Sequence, residues 1–97
     1  MSKLDFVGRE YTAEVPGVDF HIHRFRDGRF RAYAWDLRGL DEDESPSAER
    51  HVLVAESVSY EVACAACEAA LPLILAAPYD GKSRDLTAQL AEARHAP

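Results

Sequence analysis

Between Arg9 and Leu37 the chain reads REYTAEVPGVDFHIHRFRDGRFRAYAWDL. Two turn signals divide this stretch into three runs. Asp27-Gly28 tolerates the positive φ angles of a type I′ turn and predicts a two-residue hairpin loop. Pro16-Gly17 fits a type II turn, which suits a hairpin less well, so this loop could be longer. We therefore expect a three-stranded meander with strands at roughly 9–15, 18–26 and 29–37.

Side-chain alternation can be checked against the registers that two-residue loops would set. One face of the meander then carries nine apolar or aromatic residues and is the expected core face: Val15, Val18, Leu37, Ala13, Phe20, Trp35, Tyr11, Ile22 and Tyr33. The other face is the expected solvated face: Glu14, Asp19, Asp36, Thr12, His21, Ala34, Glu10, His23 and Ala32. These registers place Tyr33 and Trp35 in the core, and a slip of one residue would mix the faces.

Arginines collect at the end of the meander that carries the Asp-Gly turn. In the expected register Arg9, Arg24 and Arg31 line up, which indicates that the sheet twists past the core or contains a bulge there. A row of guanidinium groups can bind phosphate or carboxylate. The candidate anion site consists of Arg24, Arg26, Arg29 and Arg31. The alternatives are that the acidic loop described next folds back on these arginines, or that water solvates them.

The chain after Leu37 predicts a loop, a strand and two helices. Residues 38–50 are polar and acidic and are expected to form a mobile loop. A β-branched run at 51–55 predicts a fourth strand. Ser57 or Ser59 can cap a helix that ends or kinks at Pro72, with a buried stripe of Tyr60, Cys64, Cys67 and Leu71. A second helix, at about 84–94, is expected to have Ser83 as its cap and to bury Leu86 and Leu90.

The expected fold is a two-layer α+β domain that spans residues 1–97. Its three- to four-stranded antiparallel meander is packed on one face by one or two C-terminal helices. Residues Met1 to Gly8 show no secretory signal, and the apolar stretch 62–78 is too interrupted to span a bilayer. We therefore expect a soluble, cytoplasmic protein with no membrane partner.

The charge of the chain is unevenly distributed. The formal net charge is −6, which argues against a generic nucleic-acid-binding role, because phosphate binding needs net positive charge facing the ligand. Residues 40–61 carry seven acidic residues against Arg50, so this segment accounts for the whole deficit. A charged patch steers association with a partner of opposite charge. The expected contact with a basic protein partner consists of Asp41, Glu42, Asp43 and Glu44.

Two small groups of residues are candidates for metal binding or redox chemistry. His21 and His23 share a strand face, and Glu10 lies opposite His23 in the expected register. Together they could bind zinc or another divalent cation, although a solvated sheet face explains the same residues. Cys64 and Cys67 have C-x-x-C spacing, but they lie inside the expected helix rather than at its N-terminus, so packing is the better interpretation. Phosphate-binding and nucleophile motifs are absent, so we expect neither enzymatic activity nor a cofactor.

A resemblance to a known family covers roughly residues 18–75. A glycine turn and strand run into Asp36-Leu37-Arg38-Gly39, and a later helix carries Glu61 and the run Cys67-Glu68-Ala69-Ala70-Leu71. This order resembles the HicB-like antitoxin domain, in which the first element reads Asp-Leu-Pro-Gly. The chain differs in having Arg38 in place of the proline, an acidic insertion and no evident DNA-binding element. The resemblance implies a non-catalytic protein that masks a basic RNA-cleaving toxin.

The function expected from the sequence is therefore that of a small, acidic, non-enzymatic binding domain that acts through protein–protein interaction. The alternative is a metal-binding or metal-dependent small-molecule protein that uses His21 and His23. Homodimerisation is also expected to be feasible, because an open sheet leaves edges that can pair.

Overall fold

The structure is a computed structural model that describes residues 11–41 and 43–95 of the 97-residue chain. Three strands come first, then a fourth strand, a long helix, a two-residue strand and a short helix. In chain order they are β1 (Tyr11–Val15), β2 (Val18–Arg24), β3 (Phe30–Asp36), β4 (His51–Ser57), α1 (Tyr60–Leu75), β5 (Arg84–Asp85) and α2 (Thr87–His95). A 3-10 turn at Ala48–Arg50 precedes β4.

The strands form one sheet in the order β1-β2-β3-β4-β5. The first three pairings are antiparallel, and β5 lies parallel to β4. A parallel pairing needs a long crossover, and α1 supplies it. Both helices pack on the sheet through β4, and α1 also packs on β3. The predicted two-layer α+β fold is confirmed, with one difference: the sheet has five strands and is mixed rather than purely antiparallel.

The core lies between the sheet and the helices. From the sheet it takes Val18, Phe20, Ile22, Ala32, Ala34, Val52, Val54 and Ala55. The stripe that α1 buries consists mainly of small residues, namely Ala63, Ala66, Cys67 and Ala70, with Ile74 at its end. The predicted stripe is right at Cys67, whereas Tyr60, Cys64 and Leu71 are only partly buried against the core.

The hairpin between β2 and β3 corrects the predicted register. Its loop has three central residues, Arg26 to Gly28, closed by a hydrogen bond of 2.8 Å from Phe25 N to Arg29 O. Gly28 has φ +90°, and its N–H donates to Phe25 O at 3.1 Å. This is the arrangement of a type I turn followed by a left-handed residue, rather than a two-residue type I′ turn.

The extra loop residue moves β3 by one position against β2. Phe20 pairs with Ala34 and Ile22 pairs with Ala32, whereas the predicted partners were Trp35 and Tyr33. Because strand side chains alternate, this shift puts the two alanines in the core and turns both aromatic residues to the other face. The prediction that Tyr33 and Trp35 lie on the core face was therefore wrong. The shift also buries Asp36, which was expected on the solvated face.

The helix boundaries differ from the predictions in two places. Ser59 is the N-cap of α1, as expected, and its Oγ accepts a hydrogen bond from Val62 N at 3.3 Å. The helix does not end at Pro72 but runs to Leu75, because the fully buried Ile74 holds its last turn in the core. The second helix begins at Thr87, since Arg84 and Asp85 form β5.

The remaining predictions for the C-terminal half concern burial and membrane insertion. Leu86 and Leu90 are buried, as predicted. Among the residues that the structure describes, no helix has both the length and the apolar character needed to cross a bilayer.

Candidate functional site

The face of the sheet opposite the helices carries an unusual concentration of rings. We call it the open face. Its side chains come from alternate positions of β2, β3 and β4 and are half-buried or exposed: Asp19, His21, His23, Arg31, Tyr33, Trp35, His51, Leu53 and Glu56. Tyr33 and Trp35, which the sequence assigned to the core, thus lie on a surface instead.

A bulge in β4 adjusts which side chains reach this face. Ala32 pairs with Ala55 but Tyr33 pairs with Leu53, so one extra residue of β4 lies between the two pairs. Both Val54 and Ala55 are buried as a result. The bulge lets β4 present Leu53 on one side of it and Glu56 on the other side to the same open face.

Three rings on neighbouring strands are stacked against one another. The His21 and Tyr33 ring centroids are 5.2 Å apart with an interplanar angle of 12°. Tyr33 and His51 are also 5.2 Å apart, at 25°. Trp35 meets this stack nearly at right angles, 5.3 Å from His51 and 6.3 Å from Tyr33. Tyr33 therefore lies between two stacked imidazole rings.

A broad groove of about 630 Å³ lies on the open face. It is lined by His23, Phe25, Arg31, Tyr33, Trp35, His51, Leu53 and Glu56. At one side of the groove Arg31 Nη2 lies 3.4 Å from Glu56 Oε2, and both side chains are about half exposed. Aromatic walls with a few charged groups are typical of binding sites.

The predicted anion site is divided between two sides of the sheet. The guanidinium groups of Arg29 and Arg31 each lie 5.3 Å from the centroid of the Phe25 ring, and Arg29 also pairs with Asp27 at 2.8 Å. Arg24 pairs with Phe30, which packs against the core, so Arg24 lies on the helix side of the sheet. Arg26 is exposed in the hairpin loop. The structure therefore brings together Arg29 and Arg31 but not all four arginines.

The predicted acidic contact lies at the opposite end of the strands. Asp41, Asp43 and Glu44 are exposed, and Glu42 lies outside the described residues. Leu37 N donates to Gly17 O at 2.8 Å, so this loop leaves the sheet beside the β1–β2 turn. None of these three carboxylates forms an ion pair with an arginine of the described part. The acidic loop therefore does not fold back on the arginines there.

The loop is attached to the body of the protein at its far end. Arg50 Nη1 donates to the carbonyl oxygens of Asp36 and Arg38, at 3.0 and 2.7 Å. Its guanidinium also lies 4.2 Å from the centroid of the Tyr79 ring. Arg50 thus ties the start of β4 to the end of β3 and to the segment after α1.

The predicted metal-binding side chains are only partly brought together. His21 and His23 share the open face, as strand alternation requires. His21 stacks on Tyr33, and His23 meets Phe25 edge to face at 4.7 Å. Glu10 lies outside the described residues. Within 11–41 and 43–95, no three histidine, cysteine, aspartate or glutamate side chains form a group that could hold a metal ion.

Two side chains with shifted pKa values lie at the same end of the open face, one on each side of Trp35. Burial raises the pKa of Asp19, and the nearby Glu14 carboxylate raises it further, against the opposing effect of His21. Burial lowers the pKa of His51, and the positive charge of Arg31 adds to that effect. The surroundings therefore disfavour a carboxylate charge at Asp19 and a proton on His51.

The two cysteines lie in α1, on the other side of the sheet. Both are free thiols, and Cys67 is buried. Burial raises the pKa of Cys67 far above its ordinary value. Burial also raises the pKa of Cys64, although a hydrogen bond with Tyr60 opposes the shift. Neither environment favours the thiolate that redox chemistry would need.

Several residues of the site escaped the sequence reasoning, namely Phe25, Tyr33, Trp35, His51 and Leu53. A signal was present in β3, where Ala32 and Ala34 alternate with Arg31, Tyr33 and Trp35. Either set could have faced the helices, and only the loop length selects between them. Comparison of the chain with protein-family models, with curated proteins and with solved structures finds no match.

Proposed function

We propose that this chain is a small, non-enzymatic protein-binding domain that contacts its partner through the open face of the sheet. The observation that carries the proposal is the cluster of half-exposed rings formed by Tyr33, Trp35 and His51 beside Arg31. Tyrosine, tryptophan and arginine are the residues most enriched at the energetic centres of protein interfaces.

The orientation of the rings favours a protein over a nucleic acid. Single-stranded nucleic acids bind by stacking bases on exposed ring faces. Here the faces of His21, Tyr33 and His51 are turned toward one another, and two guanidinium groups lie on the Phe25 ring. The net charge of −6 also opposes the approach of phosphate groups.

The acidic loop extends the proposed contact at one end. Asp41, Asp43 and Glu44 are exposed beside the end of β3 and can pair with basic residues at the rim of a bound partner. The antitoxin-like form of this proposal, suggested by the resemblance to HicB-like domains, has a basic toxin as that partner. That identity stays a prediction.

The proposal is tested by comparing two surface substitutions that each add one positive charge. Trp35→Arg changes the half-buried centre of the open face, and Gln89→Arg changes an exposed position of α2 on the helix side. Tagged chains are produced with an untagged copy in the cells that make the protein, then purified at low salt. We expect the bound protein, whether another species or the untagged copy, to be retained by wild type and Gln89→Arg and lost by Trp35→Arg.

A direct readout complements the purification. Trp35 is the single tryptophan of the chain, so its emission should shift to shorter wavelength when the purified partner covers the open face. Retention by Trp35→Arg of everything that wild type binds would contradict the proposal. So would the absence of any bound protein at low salt.

A further inference from the structure

The open face is polarised along its strands. In the antiparallel register of β2 and β3, His23 pairs with Arg31 at the hairpin end, and Asp19 pairs with Trp35 at the other end. Glu14 lies beside Asp19 on β1. Between these two rows lies the row of His21 and Tyr33. We call the two outer rows the cationic row and the acidic row after their β2 and β3 residues, since on β4 the order is reversed, with Glu56 beside Arg31 and His51 beside Trp35. Both outer rows are at equal distances from the middle row.

This layout is complementary to itself under one particular rotation. Two identical sheets can pack face to face about a two-fold axis that lies between them, parallel to both. If the axis followed β2 or β3, it would place like charges over each other, Asp19 over Asp19 or Arg31 over Arg31. If the axis crosses the strands, it reverses their direction and places the acidic row of each copy over the cationic row of the other.

We propose that the partner bound on the open face is a second copy of this chain, related by a two-fold axis that crosses the strands at the level of His21 and Tyr33. In this arrangement His23 of each copy faces Asp19 of the other, and Arg31 of each copy faces Trp35 of the other. The inference rests on the proposed function, since it names the partner of the same face. It differs from pairing through sheet edges, because the contact is made by side chains.

The chemistry of the facing residues supports the arrangement. Imidazole and carboxylate can form a charge-assisted hydrogen bond, and a guanidinium over an indole ring gains cation–π attraction that grows as water is excluded. Packed sheets lie about 10 Å apart, a gap that opposing Arg31 and Trp35 side chains can fill. Each copy contributes both members of every pair, so each contact occurs twice.

The free chain carries a cost at Asp19 that this contact offsets. The side chain is half-buried beside the like charge of Glu14, and both effects disfavour its carboxylate. Within the described part of the chain, only His21 opposes these two effects. A facing His23 from the second copy adds a second basic group beside the Asp19 carboxylate.

The first measurement is sedimentation equilibrium over a range of protein concentrations, in parallel with Trp35 emission. We expect a monomer–dimer equilibrium that weakens as salt is raised, because salt screens the charged rows. The emission of Trp35 should move to longer wavelength on dilution, with the same midpoint as dissociation. Gln89→Arg should leave both curves unchanged.

A charge exchange within one chain gives the sharpest test. His23→Asp alone places a new carboxylate over Asp19 of the other copy. Asp19→His alone places a second imidazole over His23. Each variant should therefore raise the dimer dissociation constant by about tenfold or more. The double variant Asp19→His/His23→Asp re-creates both pairs with the partners exchanged and should recover most of the affinity. Circular dichroism checks that each variant is folded.

A second variant keeps the test decisive if the double variant does not fold. His21→Cys lies near the proposed axis, so two copies should be joined by a short bis-maleimide, whereas Ala69→Cys on the exposed side of α1 should not be. A chain that stays monomeric at about 1 mM overturns the proposal. A dimer that is indifferent to His23→Asp and to Trp35→Arg, which places two guanidinium groups over each other, overturns it too, because it uses another surface such as the β1 edge.

The two proposals fail in different ways. A monomeric chain that captures a different protein through Trp35 would leave the proposed function intact and refute the second copy. A monomeric chain that captures nothing would refute both.

Discussion

The carboxylate of Asp36 is held by Arg38, with 2.6 Å between Oδ2 and Nη2. Arg38 Nε and backbone N also donate to Oδ1, at 2.9 and 3.2 Å. Asp36 is only 2% exposed and is the buried polar residue at the end of β3. Arg38 reaches on to the carbonyl of Ala77 at 2.8 Å, so one carboxylate orients the contact between the strand end and the segment after α1.

We expect Asp36→Ala to lower the free energy of unfolding by about 2–4 kcal/mol, because it leaves the partly buried Arg38 without its partner. Urea denaturation followed by circular dichroism measures the change. Asp27→Ala is the matched control, since the Asp27–Arg29 pair has the same sequence spacing but lies in solvent, with both side chains more than half exposed. Exposed pairs contribute little, so an equal loss in the two variants would contradict the role given to burial.

The same pair predicts the direction of a pH dependence. Burial alone would raise the pKa of Asp36, but the hydrogen bonds and charge of Arg38, with the charge of Arg50, outweigh it and hold the pKa below its ordinary value of 3.8. The unfolded chain therefore binds this proton first as the pH falls. The stabilisation that ionised Asp36 provides is complete above pH 3.8. It is lost as the pH falls through the lower pKa that Asp36 has in the folded chain.

Urea titrations between neutral and acidic pH check this dependence. We expect stability to fall below about pH 4 in wild type and the fall to be smaller in Asp36→Asn. A profile of Asp36→Asn parallel to that of wild type would show that other groups govern acid unfolding.

Two turn glycines should differ in how much an added methyl group costs. Gly17 and Gly28 have φ angles of +82° and +90°, so alanine is strained at both, by roughly 1–2 kcal/mol. A Cβ at Gly28 meets nothing within 4 Å, whereas at Gly17 it would lie 2.8 Å from Arg38 Cγ. Because the Arg38 guanidinium is held by Asp36 and by the Ala77 carbonyl, its side chain cannot easily move away, and Gly17→Ala should be clearly more destabilising than Gly28→Ala. Thermal unfolding of the two variants tests this order.

The β2–β3 hairpin shows what the sequence could and could not predict about the site. Asp27-Gly28 correctly located the turn, and the alternation in β2 correctly grouped Phe20 with Ile22 and His21 with His23. In the β3 pattern Arg-Ala-Tyr-Ala-Trp, either the alanines or the aromatic residues could face the core. The pattern therefore cannot reveal a loop that is one residue longer. The contact of α1 with β3 is a tertiary interaction, and the small residues of α1 fit over Ala32 and Ala34.

The missing fifth strand has a similar cause. Arg84 and Asp85 pair with Val52 and Leu53 only after α1 has brought the chain back along the sheet. Two residues carry no alternation that a sequence can display, and Ser83 in front of them suggested a helix cap instead. Local signals such as the Ser59 cap were read correctly because their partner lies three residues away.

The two thiols should react very differently with a thiol reagent at neutral pH. Burial raises the pKa of Cys67, so we expect it to react only when the chain unfolds. Cys64 is half-buried, with a pKa also raised by burial, and should react more slowly than free cysteine. Labelling with a chromogenic disulfide in native buffer and in urea measures both rates, and Cys64→Ser identifies each phase. Rapid labelling of either thiol in native buffer would contradict the packing role of the C-x-x-C segment.

Asp19 should affect stability and association in opposite directions. Its pKa is raised by burial and by Glu14, so the folded monomer binds a proton more readily than the unfolded chain. Asp19 therefore makes the folded chain more stable as the pH falls through its pKa in the folded state. At neutral pH its charge is destabilising. Asp19→Asn removes that charge and should stabilise the monomer at neutral pH. Urea titrations at protein concentrations below the dimer dissociation constant measure this change.

The same substitution removes the carboxylate that faces His23 across the proposed interface. We therefore expect Asp19→Asn to form a weaker dimer in sedimentation equilibrium even though its monomer is more stable. Glu14→Gln is the control, because it relieves the same repulsion without removing the facing carboxylate, so it should stabilise the monomer and leave the dimer intact. If Asp19→Asn lowers the stability of the monomer, the carboxylate has a favourable partner within the chain. The charge of Asp19 would then not be unfavourable in the monomer, and this argument for the interface would fail.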